Sequence, residues 1–182
     1  MARENKSKYS ILGALSHKPM SGYDIKKWVA KVTGAFWNES PGQVYPMLRQ
    51  LVREKLVTCD ASQGVGKRPK KVYSLTQQGL TAFKTWLKIE ANLTVMRDEL
   101  TLKLFYGQHL SKQDYLNHLV NQKQRMQEKL IRFETIENHI KDYHIEEAGS
   151  TYWLMTLEGA KMHAKAEMDW CNKIIKDIKR KK

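Results

Sequence analysis

The chain has 182 residues, enough for one large domain or two small ones, and its 41% hydrophobic content is sufficient for a buried core. Its formal charge of +13 is uneven: residues 1–90 hold 16 Lys and Arg against 6 Asp and Glu, a net of +10, whereas residues 91–182 hold 16 against 13. We therefore expect the first half to bind a polyanion. Nucleic acid is favoured over a membrane surface, because no helix in this half combines a basic face with a bulky apolar one.

Several classes of protein are disfavoured at this stage. No stretch approaches the roughly 20 apolar residues of a membrane span, and the N-terminal apolar run is too short for a secretory signal, so we expect a cytoplasmic protein. Cys59 and Cys171 are far apart and lack metal-ligand spacing. The six histidines are scattered and form no catalytic pattern. We therefore expect no metal, no cofactor and no enzymatic activity.

Two short helices open the chain. Residues 7–17, "SKYSILGALSH", predict a helix that ends before Pro19 and turns Tyr9, Ile11, Leu12 and Leu15 inward. Residues 21–34, "SGYDIKKWVAKVTG", predict a second helix that begins near Ser21 and ends at Gly34.

The third helix lies in residues 38–57, "NESPGQVYPMLRQLVREKLV". Its inward face is formed by apolar residues at helical spacing, namely Val44, Leu48, Leu51, Val52 and Leu56. One prediction places Ser40 as the N-cap and Pro41 at the first helical position, so that Pro46 bends the first turn. The competing prediction begins the helix at Tyr45, with Pro46 at the first position.

A β-hairpin follows. Two β-type runs, residues 56–60 ("LVTCD") and 70–76 ("KKVYSLT"), flank a loop rich in glycine. The loop resembles a nucleotide-phosphate loop only superficially, because Ala61 and Arg68 replace its first glycine and its Ser/Thr, and nucleotide hydrolysis is therefore rejected. A fourth helix begins at Thr76.

Three helices followed by a hairpin with a basic tip is the order of a winged helix-turn-helix. In helix-turn-helix proteins the N-terminal end of the later helix meets the major groove. Gln43 can pair with adenine there, and Arg49 with guanine or phosphate. Backbone phosphates are within reach of the basic hairpin residues, which are Lys67, Arg68, Lys70 and Lys71. For any single lysine, a solvated charged loop is the alternative.

The sequence resembles the PadR family of bacterial transcriptional regulators, in the branch with a long helical C-terminal domain. The resemblance rests on "ILGAL" at 11–15, "SGYDI" at 21–25, "FW" at 36–37, "QVYPMLRQL" at 43–51 and "VYSLTQQG" at 72–79. It is weaker beyond residue 87, where "DELTLKLFYGQHLS" at 98–111, Gly159 and Trp170 carry it.

The resemblance implies a homodimeric repressor that binds a palindromic operator in double-stranded DNA and releases it when a small molecule binds. In the founding members of the family that molecule is a phenolic acid. Further DNA-contacting residues are expected at Tyr23, Lys27, Ser40 and Tyr45. The chain departs from the family at Lys55, where glycine often ends the recognition helix.

A heptad pattern marks the C-terminal half. Its apolar positions alternate three and four residues apart and are expected to mediate dimerisation; they are Leu116, Leu119, Met126, Leu130, Phe133 and Ile140. Lys123 and Glu137 interrupt this seam. The alternative is packing within one chain. The last helix is a second candidate partner surface, because Ala160 and Ala164 permit close helix approach.

Aromatic residues on the C-terminal helices are candidates for binding the effector. Phe105, Tyr106, Tyr152 and Trp153 are expected to line an apolar slot between the two domains. The alternative assigns them to the core.

The sequence thus predicts a mostly α-helical protein. Residues 1–90 are expected to form a winged helix-turn-helix DNA-binding domain with a β-hairpin wing, and residues 91–182 an all-α dimerisation domain. An operator-binding repressor is the first hypothesis. The second is a winged-helix protein whose basic face binds RNA or protein partners.

Overall fold

The computed structural model describes residues 6–34, 37, 42–61, 71–92 and 97–180. The chain divides into two compact units, Met1–Leu93 and Thr94–Lys182. The protein is mostly helical with one small antiparallel sheet, which confirms the predicted fold class. Among the described helices, none is both long enough and apolar enough to span a bilayer.

The described residues of the first unit form four helices and three strands. In chain order they are α1 (Ser7–Leu15), β1 (Met20–Ser21), α2 (Gly22–Val32), α3 (Val44–Arg53), β2 (Val57–Asp60), β3 (Val72–Leu75) and α4 (Gln77–Leu87). The core is formed by the inward faces of α1, α2 and α3 and is closed by the strands; its fully buried side chains include Ile11, Leu12, Ile25, Val29, Leu48, Leu51 and Val57. The inward faces predicted from helical spacing are therefore confirmed.

The sheet has the order β1-β3-β2, with all neighbours antiparallel. The predicted hairpin is confirmed: β2 and β3 pair with Val57 opposite Leu75 and Asp60 opposite Val72. The pairing of Met20 with Tyr73 was not predicted, because a strand of two residues is too short to show alternation. This third strand attaches the hairpin, here called the wing, to the segment before α2.

Helix α3 begins at neither of the predicted positions. Its first residue is Val44, and Gln43 is the N-cap without a side-chain capping bond. Pro46 is thus the third helical residue, where an N–H would have no intrahelical partner, so proline costs no hydrogen bond and no bend is required. The first such bond runs from Met47 N–H to the Gln43 carbonyl, 3.0 Å. Met47, which is not among the predicted inward residues, is also buried.

Lys55 ends this helix in the left-handed conformation, with φ of 57°. The Leu56 N–H donates to the Leu51 carbonyl and the Lys55 N–H to the Val52 carbonyl, both at 3.0 Å. These two bonds constitute a Schellman motif, in which glycine is usual at the left-handed position. Lys55, where the chain departs from the family pattern, thus occupies the left-handed position that glycine would adopt with the least strain.

The start of α4 is bonded to the end of α3. The Thr76 hydroxyl lies 2.9 Å from the Lys55 carbonyl oxygen and 3.0 Å from that of Leu56, and it accepts from the Gly79 N–H. The Thr76 N–H also donates to the Leu56 carbonyl, 3.1 Å. A Cβ at Gly79 would lie 2.1 Å from that same carbonyl oxygen, so only glycine permits this approach.

The second unit is entirely helical in its described residues. It comprises α5 (Glu99–Phe105), one 3-10 turn (Gly107–His109), α6 (Lys112–Tyr143) and α7 (Ser150–Arg180). Ser111 is the N-cap of α6, and its hydroxyl oxygen accepts a hydrogen bond from the Asp114 N–H. Helices α6 and α7 pack against each other as an antiparallel hairpin, because Leu119 contacts Cys171 at one end while Glu137 bonds to Lys161 nearer the turn.

Buried residues recur every seven positions in both helices of the hairpin. On α6 they are Leu119, Met126, Phe133 and Ile140, and on α7 they are Ser150, Leu157, Ala164 and Cys171. Antiparallel packing with Leu119 at Cys171 brings Met126 level with Ala164, so a large side chain faces a small one in this layer.

This packing corrects the predicted dimerisation seam. The four α6 residues above are buried within a single chain and so are not available to a partner, while Leu116 and Leu130 are half-buried. These residues therefore pack within one chain, which is the alternative that the sequence analysis left open.

Glu137, one of the two polar interruptions of the seam, forms an ion pair across the hairpin. The Glu137 carboxylate accepts from Lys141, 2.7 Å, and from Lys161 on α7, 2.5 Å. Hydrogen bonds from these two ammonium groups lower the pKa of Glu137 to about 2. A second cross-helix bond joins the Gln122 amide to the Glu167 carboxylate, 2.5 Å.

Candidate nucleic-acid interface

An open cleft of about 430 Å³ lies where the start of α2, the start of α3 and strand β3 meet. It is lined by Ser21, Gly22, Tyr23, Tyr45, Arg49, Lys71 and Tyr73. Ser21 fixes the start of α2, because its hydroxyl oxygen accepts from the Asp24 N–H while its O–H donates to the Asp24 carboxylate, 2.6 Å. This reciprocal capping holds the tyrosine-bearing first turn in place.

Tyr45 packs against Gly22. A Cβ at Gly22 would lie 2.5 Å from the Tyr45 ring, so glycine at this position allows the ring to rest on the start of α2. The ring remains about half exposed, at 47%. The small residue on one helix therefore positions an exposed aromatic side chain on the next.

A second open cleft, of about 400 Å³, continues along α3 toward the wing. It shares Arg49, Lys71 and Tyr73 with the first cleft and adds Val52, Arg53 and Cys59. Among the described residues that line the two clefts, none carries a carboxylate. The two clefts form a continuous basic and aromatic surface along the exposed side of α3, which we call the α3 surface.

Tyr73 is the buried floor of this surface. Burial, and secondarily its interaction with the Cys59 thiol, raise the pKa of Tyr73. Its hydroxyl is therefore a neutral hydrogen-bond donor at physiological pH and adds no negative charge beside Arg49.

Gln43 is exposed at the N-cap of α3, but its side chain is already engaged. The side-chain amide oxygen of Gln43 (Oε1) accepts a hydrogen bond from the Ser7 hydroxyl on α1, 3.2 Å. Bidentate pairing with adenine needs that oxygen as an acceptor and the amide nitrogen as a donor. The Ser7 bond both orients Gln43 and competes for one of its two functional atoms.

Tyr23 and Lys27 form a pair on α2. The Lys27 ammonium lies 4.9 Å from the centroid of the exposed Tyr23 ring, a cation–π contact. This contact holds a positive charge next to the first cleft.

Four of the predicted DNA-contacting residues, Ser40, Lys67, Arg68 and Lys70, lie outside the described part of the chain. Tyr23, Tyr45, Arg49 and Lys71 come together in the first cleft. Gly22 and Tyr73 were missed by sequence reasoning, and Arg53 was expected only on the outer face of the helix and not as a site residue. The order Ser-Gly-Tyr at 21–23 contained a signal for Gly22, but its contact with Tyr45 depends on tertiary packing.

The four aromatic residues predicted to bind an effector occupy two ends of the second unit. Phe105 and Tyr106 are exposed and follow Leu104, which packs on Leu119 and Cys171. Trp153 lies at the hairpin turn, where its ring closes on Gly149. Residues 153 and 171 are separated by about 27 Å along α7 at 1.5 Å per residue. One chain therefore does not bring the four side chains into a single slot.

The described residues contain no group of three or more His, Cys, Asp or Glu side chains arranged to hold a metal ion. The candidate site is thus the α3 surface, whose chemistry is that of basic and phenolic hydrogen-bond donors. Such donors match phosphate oxygens and the acceptor edges of bases.

A winged helix-turn-helix with a basic surface along α3 defines the chain as a DNA-binding transcriptional regulator. Residues 11–85 match the model of the PadR-like family of transcriptional regulators, and residues 96–179 match the model described as virulence activator alpha C-term. The negative transcriptional regulator PadR of Bacillus subtilis (strain 168) is 34% identical over 124 residues, which are 68% of each chain. The chain belongs to the PadR family.

Solved structures of the same bacterial regulator resemble the whole chain. Bacillus subtilis PadR in complex with operator DNA has a TM-score of 0.83 at 27% identity, covering 96% of this chain and 99% of that one. Bacillus subtilis PadR in complex with p-coumaric acid has a TM-score of 0.78 at 27% identity, covering 97% and 100%. The similarity thus extends through both units.

Proposed function

We propose that this protein is a cytoplasmic, homodimeric repressor that binds a palindromic operator and is released from it by a small phenolic inducer. The observation that carries the proposal is the α3 surface, where Arg49, Lys71 and three tyrosines line one open cleft free of carboxylates. The relatives support it, since one is a negative transcriptional regulator whose structures contain operator DNA and p-coumaric acid.

Within this proposal the residues of the α3 surface have distinct roles. Arg49 projects from the recognition helix and is proposed to contact guanine or phosphate, while Lys71 and Tyr45 contact phosphate. Gln43 is proposed to read a base through its amide, with Ser7 fixing its orientation. Tyr23 and Lys27 extend the phosphate contacts along α2. Four further residues lie outside the described part of the chain and remain predicted DNA contacts, namely Ser40, Lys67, Arg68 and Lys70.

The operator proposal is tested by selecting bound duplexes from a random DNA pool with the purified protein. We expect an inverted repeat, because a two-fold dimer reads two equivalent half-sites. A protein that uses its basic face for RNA or for protein partners would return no palindrome, and that result would overturn the proposal.

The roles of individual residues are tested on the selected operator. Arg49→Gln should weaken binding by about 1–3 kcal/mol. Gln43→Ala should weaken operator binding within the same range and binding to random DNA little, whereas Lys71→Ala should weaken both alike. Lys84→Gln is the matched control, because Lys84 is exposed on α4 and lines neither cleft. Equal losses on both DNAs for Gln43→Ala would reassign Gln43 to the backbone.

The inducer proposal needs two tests because its aromatic candidates are separated. p-Coumaric acid is titrated against the operator complex while DNA release and tryptophan fluorescence are recorded. Phe105→Leu tests the α5 end, with Tyr106 beside it, and Trp153→Phe tests the hairpin turn, with Tyr152 beside it. Release by the wild type that is lost in one variant locates the site. No release at millimolar concentration would refute a phenolic inducer and leave the operator proposal standing.

A further inference from the structure

The flank of α3 that faces α1 carries a chain of three bonded polar side chains. The Lys8 ammonium on α1 lies 2.6 Å from one carboxylate oxygen of Glu54, the C-cap of α3. The other carboxylate oxygen accepts a hydrogen bond from the Gln50 amide nitrogen, 2.7 Å. The bond from Lys8, and secondarily that from Gln50, lower the pKa of Glu54. Glu54 is therefore ionised at neutral pH.

The charge of Glu54 determines which way the Gln50 amide points. An ionised carboxylate only accepts hydrogen bonds, so Gln50 must turn its amide nitrogen toward Glu54. Gln50 is exposed, and its side-chain oxygen accepts no hydrogen bond from the described residues. The oxygen of this amide is thus the group that remains available to a partner outside the chain.

A carboxylate close to a DNA-binding helix repels phosphate unless its charge is compensated. Lys8 supplies the compensating charge, since the two side chains form an ion pair and are only 24% and 35% exposed. The chain from Lys8 through Glu54 therefore orients Gln50 without adding net charge to this flank. Gln50 itself is adjacent to Arg49 and two helical turns after Gln43, on the same flank as Gln43.

We propose that Gln50 determines specificity by accepting a hydrogen bond from the amino group of adenine or cytosine, and that Lys8 and Glu54 are positioning residues that set this polarity. The inference rests on the operator binding of the proposed function and adds a base contact to it. In the major groove adenine and cytosine present an amino group where thymine and guanine present a carbonyl oxygen. An amide oxygen accepts from the first pair of bases and not from the second.

Gln43 has the opposite polarity. Its side-chain oxygen is bonded to the Ser7 hydroxyl, so its amide nitrogen is the group left available. Gln43 and Gln50 are about 10 Å apart along the helix axis. Helix α1 thus orients both glutamines through neighbouring residues, Ser7 and Lys8, and makes one a donor and the other an acceptor.

Operator selection with a variant tests the base contact. The wild type should select adenine or cytosine at one half-site position, distinct from the position that Gln43→Ala relaxes. Gln50→Met keeps the length of the side chain but removes its hydrogen-bonding groups. We expect this variant to lose the preference at that position by about three- to tenfold, as measured by competition between duplexes that differ only there.

Reversing the ion pair tests the positioning role. Lys8→Glu combined with Glu54→Lys keeps the net charge and the pair, but the group facing Gln50 then only donates hydrogen bonds. The Gln50 amide should turn its nitrogen outward, and the selected base should change from adenine or cytosine to guanine or thymine. Ser7→Ala is the matched control, because it acts on Gln43 and should leave this position unchanged.

Glu54→Gln is a milder variant that does not depend on rebuilding the ion pair. A neutral amide both donates and accepts, so the preference should be relaxed and not inverted. A purely structural role would lower affinity or stability without changing which base is selected, and circular dichroism monitors folding of each variant.

The outcomes separate this inference from the proposed function. If the wild type selects a palindrome and Gln50→Met changes none of its positions, Gln50 contacts no base and the inference fails. If Gln50→Met relaxes a position that folded Glu54→Gln and charge-reversed proteins leave unchanged, Lys8 and Glu54 do not position Gln50. A wild type that selects no palindrome would instead overturn operator binding itself.

Discussion

Lys55 occupies a backbone conformation that favours glycine. A left-handed conformation costs a residue with a Cβ roughly 1–2 kcal/mol. Glycine avoids this cost, but its greater flexibility in the unfolded chain offsets part of the gain in stability. We expect Lys55→Gly to raise the free energy of unfolding by about 0.5–1 kcal/mol. Urea denaturation followed by circular dichroism measures the change.

The control for Lys55 is alanine, which removes the charge but keeps the Cβ. Lys55→Ala should bring no gain, since the strain at φ of 57° remains. A gain of the same size in both variants would attribute the effect to charge instead of backbone conformation.

Gly79 is required by a close approach of α4 to the end of α3. A methyl group there would lie 2.1 Å from the Leu56 carbonyl oxygen and 2.9 Å from a Leu75 methyl carbon. We expect Gly79→Ala to destabilise the first unit by about 1–3 kcal/mol, the usual range for overpacking. Gly42→Ala is the matched control, because a Cβ at Gly42 meets nothing within 4 Å. Thermal melts that do not distinguish the two variants would contradict this account.

The residues of the site differ in how well the sequence predicts them. The basic and tyrosine residues of the α3 surface were chosen from their type and their place in the helix order, and four of them line one cleft. The bond between Ser7 and Gln43 and the support of Tyr45 by Gly22 join residues 36 and 23 positions apart. Contacts of this kind depend on how helices pack, which local spacing does not encode.

At the scale of elements, the α6–α7 hairpin is held partly by Glu137. Its pKa is lowered from 4.5 to about 2 by Lys141 and Lys161, so its ionised form is favoured in the folded state. A lowered pKa stabilises the fold above pH 4.5, and that contribution is lost as the pH falls from 4.5 toward 2. We expect the wild type to lose stability in this window more steeply than Glu137→Gln, as measured by urea midpoints at each pH.

The Glu137 effect has a control on the same helix. Glu128 is exposed and its carboxylate accepts a hydrogen bond from the uncharged Gln124 amide, so Glu128→Gln should keep the wild-type acid dependence. High salt should reduce the difference between wild type and Glu137→Gln, since both ion pairs are partly solvated. Identical acid profiles for the wild type and Glu137→Gln would exclude a stabilising role for this carboxylate.

Elements were predictable to the extent that their pattern is local. The heptad spacing identified the buried face of α6 correctly. Such spacing shows which residues of a helix are buried, but it does not show which other helix they pack against. The start of α3 was missed because Pro41 and Pro46 each satisfy the rule for a first turn, and the rule alone gives no choice between them. The β1 strand was missed because its two residues pair only through the wing.

For the whole molecule, the uneven charge predicts a strong dependence of DNA binding on salt. The net charge of +10 in residues 1–90 accompanies a carboxylate-free α3 surface. If a dimer neutralises 6–10 phosphates, its affinity for DNA should fall by roughly 10³–10⁵ between 50 and 200 mM salt. Fluorescence anisotropy of a labelled duplex measures this slope, and a flat response would contradict phosphate-dominated binding.

The coupling of α3 to α4 has a mechanical consequence. The hydroxyl and N–H of Thr76 bond to the carbonyls of Lys55 and Leu56, directly after the recognition helix, and Gly79 approaches the Leu56 carbonyl closely. Because these contacts are rigid, we expect the two helices to rotate together: when α4 rotates about its axis, α3 rotates with it. Small angular displacements of α4 would therefore reappear at the exposed side of α3 as changes in the direction in which Arg49 points.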